Sequence, residues 1–197
     1  MASSGKKFVG ILGGSFDPPH TGHLFISKNA MIKLGVNEVW WIVTYGNPLK
    51  KNTTNYKKRL LSTKKFLENK NIKVLEIYKN QKNIYTIDLI KYLYKKFPSK
   101  KFIWLMGIDN IQNFHFWKNW KEIFLNIPIA IFDRPFYSLS TSKSKALTYF
   151  KDRRISNKLS KKLKNMIPPR WVFITGQTHL KSSTQLRLEK IGLKKKY

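Results

Sequence analysis

Gly13-Gly14-Ser15-Phe16-Asp17-Pro18-Pro19-His20-Thr21-Gly22-His23-Leu24 is the stretch from which the fold can be read. Before it runs Phe8-Val9-Gly10-Ile11-Leu12, which is short, apolar and partly β-branched, the pattern of a buried strand. After it, Leu24, Ile26, Ala30, Met31 and Leu34 form a helical apolar pattern. The quoted residues therefore join a strand to a helix. In such a connection, paired glycines let the backbone approach a ligand, and the helix start offers unpaired N–H groups with partial positive charge. A phosphate group suits that environment. His20 and His23, three residues apart, fall on one face of the first helical turn, where both rings can donate to phosphate oxygens. Two of the four histidines in the chain stand here, beside Gly13, Gly14 and Asp17. That grouping favours a phosphate clamp over a proline-rich turn with incidental imidazoles.

The same alternation continues outward. Gly35-Val36-Asn37 stops the helix and Glu38–Val43 reads as a second strand, completing the βαβ unit of a parallel sheet. Residues 44–51, including Gly46, Asn47 and Lys50, leave the carboxyl end of that strand, the edge where open α/β sheets bind ligands. Residues 56–69 read as a surface helix and 73–77 as a third strand. A further helix is predicted over 85–94, with Thr86 in its capping turn. Residues 102–106, 127–133 and 171–175 supply three more strands. Between the last two, residues 138–169 are rich in Ser and Lys, with weak helical signals and no legible chemistry. The expectation is a single α/β domain over residues 1–197, with its core in about residues 7–188. Its architecture is a Rossmann-like, doubly wound parallel sheet with a small C-terminal helical part.

Two later stretches carry chemistry. In Met106-Gly107-Ile108-Asp109-Asn110, Gly107 allows a tight turn off the fourth strand, and Asp109 can accept hydrogen bonds from ribose hydroxyls or cap the next helix. Trp117 and Trp120, three apart, are expected on one helical face, either in the core or as an indole plane for a flat heterocycle. Ser182-Ser183-Thr184-Gln185-Leu186-Arg187 follows the last strand. Hydroxyls that open a short helix, with an arginine one turn on, suit a triphosphate, although a helix cap alone explains them. His115 and His179 lack metal-ligand spacing, and neither a zinc-type ligand set nor a Ser-His-Asp order occurs.

Composition sets limits. With 42% hydrophobic and 14% aromatic residues, the chain is globular rather than disordered. No apolar run approaches the roughly 20 residues that span a bilayer, so no membrane association is expected. The absence of cysteine excludes disulfides and thiolate chemistry and fits a reducing cytoplasm. A net charge of +29 invites a nucleic-acid reading. The excess, however, is 33 lysines against six arginines, spread through every segment among many Asn, Ile, Phe and Tyr. Residues with A/T-rich codons explain that pattern without a specific nucleic-acid partner, which would more often cluster arginine on one face. Self-association into a homo-oligomer stays open.

Gly-x-Phe-Asp-Pro-x-His-x-Gly-His resembles the signature of the nucleotidylyltransferase superfamily, and Ser-Ser-Thr-x-x-Arg resembles its second signature. The stretch from Met106 through Trp120, with Asn47-Pro48-Leu49-Lys50 and Tyr85-Thr86, is similar to one branch, the bacterial nicotinate-nucleotide adenylyltransferases. The resemblance runs from about residue 8 to residue 188. It implies transfer of AMP from ATP to nicotinic acid mononucleotide in NAD biosynthesis, with Mg²⁺ carried by ATP and no metal ligand supplied directly by the protein. It further implies catalytic roles for His20, His23, Asp17 and Arg187, with Asp17 near the ion. ATP would be bound by Gly13, Gly14, Ser15, Phe16, His20, His23, Gly107, Asp109, Ser183, Thr184 and Arg187. The mononucleotide would meet Ser15, Gly46, Asn47, Lys50, Thr86 and Trp117. Lys50 stands where many relatives carry His, and Lys82-Asn83-Ile84 replaces a Gly-Pro-Ser run. The alternatives are an adenylyltransferase for another phosphorylated acceptor, such as nicotinamide mononucleotide or phosphopantetheine, and a basic RNA-binding protein on the same scaffold.

Overall fold

The computed structural model describes residues 7–45, 54–68, 72–77, 84–133 and 144–175. Within them, seven strands form one all-parallel sheet: β1 (Lys7–Gly14), β2 (Glu38–Val43), β3 (Lys73–Val74), β4 (Lys100–Gly107), β5 (Ile129–Phe132), β6 (Arg154–Ile155) and β7 (Trp171–Ile174). Their order is β3-β2-β1-β4-β5-β7-β6. The chain therefore winds to one side from β1 to β3, then crosses back to place β4 on the other flank of β1. The carboxyl ends of β1 and β4 flank the point where the winding reverses, which is where doubly wound sheets form a ligand crevice.

The sheet is buried on both faces, so its strands read as continuous apolar runs. One face carries Val9, Ile11, Trp40, Phe102, Trp104 and Ile131. Against it pack α3 (Thr86–Lys96), α4 (Ile108–Gln112), α5 (Trp120–Asn126) and α6 (Lys145–Tyr149). The opposite face carries Leu12, Val39, Trp41, Leu105 and Phe132, covered by α1 (Thr21–Asn29), by Leu67 of α2 (Tyr56–Leu67) and by a 3₁₀ segment, Asn157–Asn165. Among the described residues, no helix is long and apolar enough to cross a membrane.

Several elements differ from the sequence reading. The first helix turns into a π-helical stretch at Ala30–Leu34 and ends on Gly35, whose φ of 64° is the left-handed closure that glycine adopts without Cβ strain. Strand β3 is two residues long instead of five, although the Leu75 amide still donates to the Trp41 carbonyl at 2.9 Å. Strand β5 begins at Ile129 because Pro128 has no N–H to give a ladder, and its carbonyl instead accepts from Trp104. The stretch 138–169 conceals an edge strand, β6, too short to show a period of two.

Candidate active site

The loop after β1 is built from both sides. Phe16 takes φ 45°, a left-handed conformation that costs a residue with Cβ about 1–2 kcal/mol. It is held by burial: its ring stacks on Trp41 of β2 at 4.7 Å and 11°, and lies 4.7 Å from the His23 ring. Trp41 donates through Nε1 to Ser27 Oγ at 2.8 Å, and Ser27 Oγ donates to the His23 carbonyl at 2.9 Å. Strand β2, the loop and helix α1 thus form one packed unit.

His20 is the N-cap of α1 and is buried, at 3% exposure. The Gly22 amide donates to its Nδ1 at 3.1 Å, and the His20 amide donates to His23 Nδ1 at 3.2 Å. The two rings lie 3.8 Å apart. Because each Nδ1 accepts from a backbone N–H, each neutral imidazole carries its hydrogen on Nε2. The helix cap thereby fixes the same tautomer in both rings, with Nε2–H as the ring donor.

Gly13 belongs to β1, and a Cβ there would lie 2.6 Å from Trp104 Cη2. The close approach it permits is to the neighbouring strand, a packing reason that the sequence reading did not include. At Gly14 an added Cβ would meet the Phe16 ring at 3.5 Å, an ordinary contact.

Asp17 is buried, and Thr54 occupies both its oxygens: the Thr54 amide donates to Oδ2 at 2.9 Å and Thr54 Oγ1 donates to Oδ1 at 2.7 Å. Next to it lies Arg59 of α2, 2% exposed, in a helix expected to be a surface element. Its guanidinium donates to four main-chain carbonyls: Nε to Thr54 at 2.7 Å, Nη1 to Ser15 at 2.8 Å and Thr44 at 2.9 Å, and Nη2 to Tyr45 at 2.8 Å. Burial pulls the guanidinium below its ordinary pKa, and the Asp17 charge opposes that shift. Sequence reasoning missed Thr54 and Arg59. A signal existed: Arg59, Thr63 and Leu67 are spaced four apart on the inward stripe of α2, and arginine is scarce in this lysine-rich chain.

At the end of β4, Gly107 is the N-cap of α4 without a side-chain cap bond, and Asp109 is exposed in the first turn. Trp117 and Trp120 do not share a helical face. Trp117 is extended (φ −73°, ψ 140°) after a 3₁₀ turn, Phe114–Phe116, while Trp120 opens α5. Asn119, left-handed at φ 51°, redirects the chain between them. Trp117 packs on Phe114 at 4.8 Å, and Trp120 meets Tyr149 at 5.5 Å. Thr86 is the first residue of α3; the N-cap is Tyr85, with no side-chain cap bond. Lys118 Nζ lies 4.2 Å from the Tyr85 ring centroid, so the Trp117 segment and the start of α3 adjoin. Gly46, Asn47, Lys50, Ser183, Thr184 and Arg187 lie outside the described residues.

The loop that follows β1 opens at the switch point of the parallel sheet, and the family model described as cytidylyltransferase-like matches residues 11–189. The chain belongs to that family. Within it, the chain is 39% identical over 189 residues to the "Probable nicotinate-nucleotide adenylyltransferase" of Brucella suis biovar 1 (strain 1330), covering 95% of this chain and 96% of that protein. It is 38% identical to the protein of the same name from Agrobacterium fabrum (strain C58 / ATCC 33970), covering 91% and 97%. It is a member of the nicotinate-nucleotide adenylyltransferase family. The fold is shared with the Plasmodium falciparum nicotinic acid mononucleotide adenylyltransferase complexed with NaAD, with a TM-score of 0.68 at 19% identity over 92% of this chain and 83% of that one.

Proposed function

We propose that this protein transfers AMP from ATP to nicotinic acid mononucleotide, releasing pyrophosphate and forming nicotinic acid adenine dinucleotide for NAD biosynthesis in the cytoplasm. The observation that carries this reading is the near full-length identity to relatives of that name. The adjoining loops of β1 and β4 at the switch point support it.

A phosphate oxygen of the mononucleotide attacks the α-phosphorus of ATP. The bond from that phosphorus to the bridging oxygen breaks, and pyrophosphate leaves with the electron pair. No protein nucleophile is required, so the residues act by positioning two anions and stabilising the charge between them. His20 and His23 offer Nε2–H donors to ATP phosphates beside the main chain of Gly13, Gly14, Ser15 and Phe16. Gly107 and Asp109 hold the adenylate ribose. Ser183, Thr184 and Arg187 take the leaving pyrophosphate. Thr86 and Trp117 hold the nicotinate ring, with Ser15, Gly46, Asn47 and Lys50 about the mononucleotide.

Asp17 is the sole carboxylate of the residue 13–24 loop, its oxygens already accept from Thr54, and no cluster of three His, Cys, Asp or Glu among the described residues could hold an ion. These residues fit Mg²⁺ held by the oxygens of the triphosphate, with Asp17 nearby. Bound there, Mg²⁺ would neutralise charge between the two anions.

The test is pyrophosphate release by purified protein with ATP and Mg²⁺, comparing nicotinic acid mononucleotide with its amide. Strong preference for the acid is the expected result. Equal use would overturn the acceptor specificity, and no release with either would overturn the transfer reaction.

A further inference from the structure

The backbone pairing of β1 with β2 ends at the bond from the Thr44 amide to the Gly14 carbonyl, 2.9 Å long. Past that bond the two chains diverge, one into the loop that carries His20 and the other toward Tyr45. Arg59 begins where the ladder stops. Its Nη1 bridges the carbonyls of Ser15 and Thr44, the next residues along each strand, and so extends the pairing by one step through a side chain. Nη2 fixes Tyr45, and Nε fixes Thr54, whose amide and hydroxyl in turn hold Asp17 of the same loop. Tyr45 stacks on Tyr56 at 5.0 Å, beside the guanidinium. Three separate stretches of chain are thus referred to one planar, buried cation. A lysine could not replace it, because an ammonium has three donors and no flat fork to match four carbonyls in fixed directions.

We propose that Arg59, with Asp17 and Thr54, is a positioning residue for adenylyl transfer: it sets the distance between the loop bearing His20 and the end of β2. The proposal rests on the transfer reaction above. The Arg59 guanidinium donates to main-chain carbonyls, so its loss should misalign reacting groups more than it weakens binding. Misplacement of about 1 Å can cost on the order of a hundredfold in rate.

The experiment compares wild type with Arg59→Lys and Thr54→Val, measuring kcat and KM for ATP and for nicotinic acid mononucleotide. Thr54→Val removes the hydroxyl bond to Asp17 while keeping the amide and the side-chain size. The folded fraction at assay temperature is taken from circular dichroism, so that rates are expressed per folded molecule. For Arg59→Lys, kcat should fall at least about tenfold with both KM values within about threefold, by the misalignment argument. For Thr54→Val, kcat should fall about threefold or more. A merely structural role predicts lowered melting temperatures with kcat per folded molecule within about twofold of wild type, and that result overturns the proposal. If Arg59→Lys does not fold, Thr54→Val decides, and an unchanged kcat overturns it. An inactive wild type would strike the transfer reaction and the proposal together, whereas an active wild type with unaffected variants strikes the proposal alone.

Discussion

Replacing Gly13 by alanine would set a methyl group 2.6 Å from Cη2 and 2.9 Å from Cζ2 of Trp104. Carbon atoms pack best about 3.5–4.0 Å apart, so something must give by roughly 1 Å. Neither side yields cheaply. Trp104 is 1% exposed in the centre of the sheet, and Gly13 is paired to Ile42 in β2. Overpacking of this kind costs about 1–3 kcal/mol. Trp104→Phe alone removes ring volume, at a cavity cost, but also removes the indole Nε1, which has no hydrogen-bond partner among the described residues. An unsatisfied buried donor costs about 1–3 kcal/mol, so the two effects partly cancel. In the double variant the smaller ring leaves room for the methyl. The interaction energy of the cycle should therefore favour the pair by about 1–2.5 kcal/mol. Urea unfolding followed by far-ultraviolet circular dichroism gives the four stabilities without relying on tryptophan emission. A cost below about 0.5 kcal/mol for Gly13→Ala, or additivity within about 0.5 kcal/mol, would refute the close-packing argument.

His20 performs two separable tasks. His20→Ala should lower the unfolding free energy by about 1 kcal/mol through the lost cap and reduce turnover at least about a hundredfold, equivalent to ~2.7 kcal/mol of barrier. His20→Asn should restore the cap and the stability but not the turnover, since asparagine lacks the Nε2–H donor; full activity in that variant would remove the ring from the mechanism. Glu38 is held at a pKa of about 2, first by the hydrogen bond from Lys73 and then by that from Trp40 Nε1, which lies 3.0 Å away. A depressed carboxylate contributes stability above its unfolded value of 4.5 and loses it as pH falls toward 2. The Glu38→Gln variant should therefore be less stable at pH 7 by about 1–2 kcal/mol, with the difference shrinking between pH 4.5 and 2 in denaturant titrations. A constant difference across that window would assign the effect to packing.

The parallel sheet was legible because every major strand is a run of apolar, β-branched and aromatic residues, and every connection is marked by Gly, Pro or Asn. The loop of residues 13–24 was legible because glycines, prolines and histidines cluster there for reasons local to the loop. The failures share a physical cause. The two tryptophans were expected on one helix because their spacing fits one, but a single left-handed residue, Asn119, breaks that helix, and asparagine marks such a site only weakly. The segment 56–69 reads as a surface helix because basic and apolar positions alternate along it. Its arginine turns inward because the carbonyls of Ser15, Thr44 and Tyr45, from the ends of two strands, converge with that of nearby Thr54 on one point.

By itself, then, the sequence determined the alternation of strands and helices and the loop that begins the chemistry, since local patterns of hydrophobicity and turn residues govern both. Only the tertiary structure decided what Gly13 accommodates, what Asp17 and Arg59 bind and how Phe16 is held. Each of these depends on atoms brought together from positions up to 91 residues apart, as Gly13 and Trp104 are, and no local pattern encodes such a meeting.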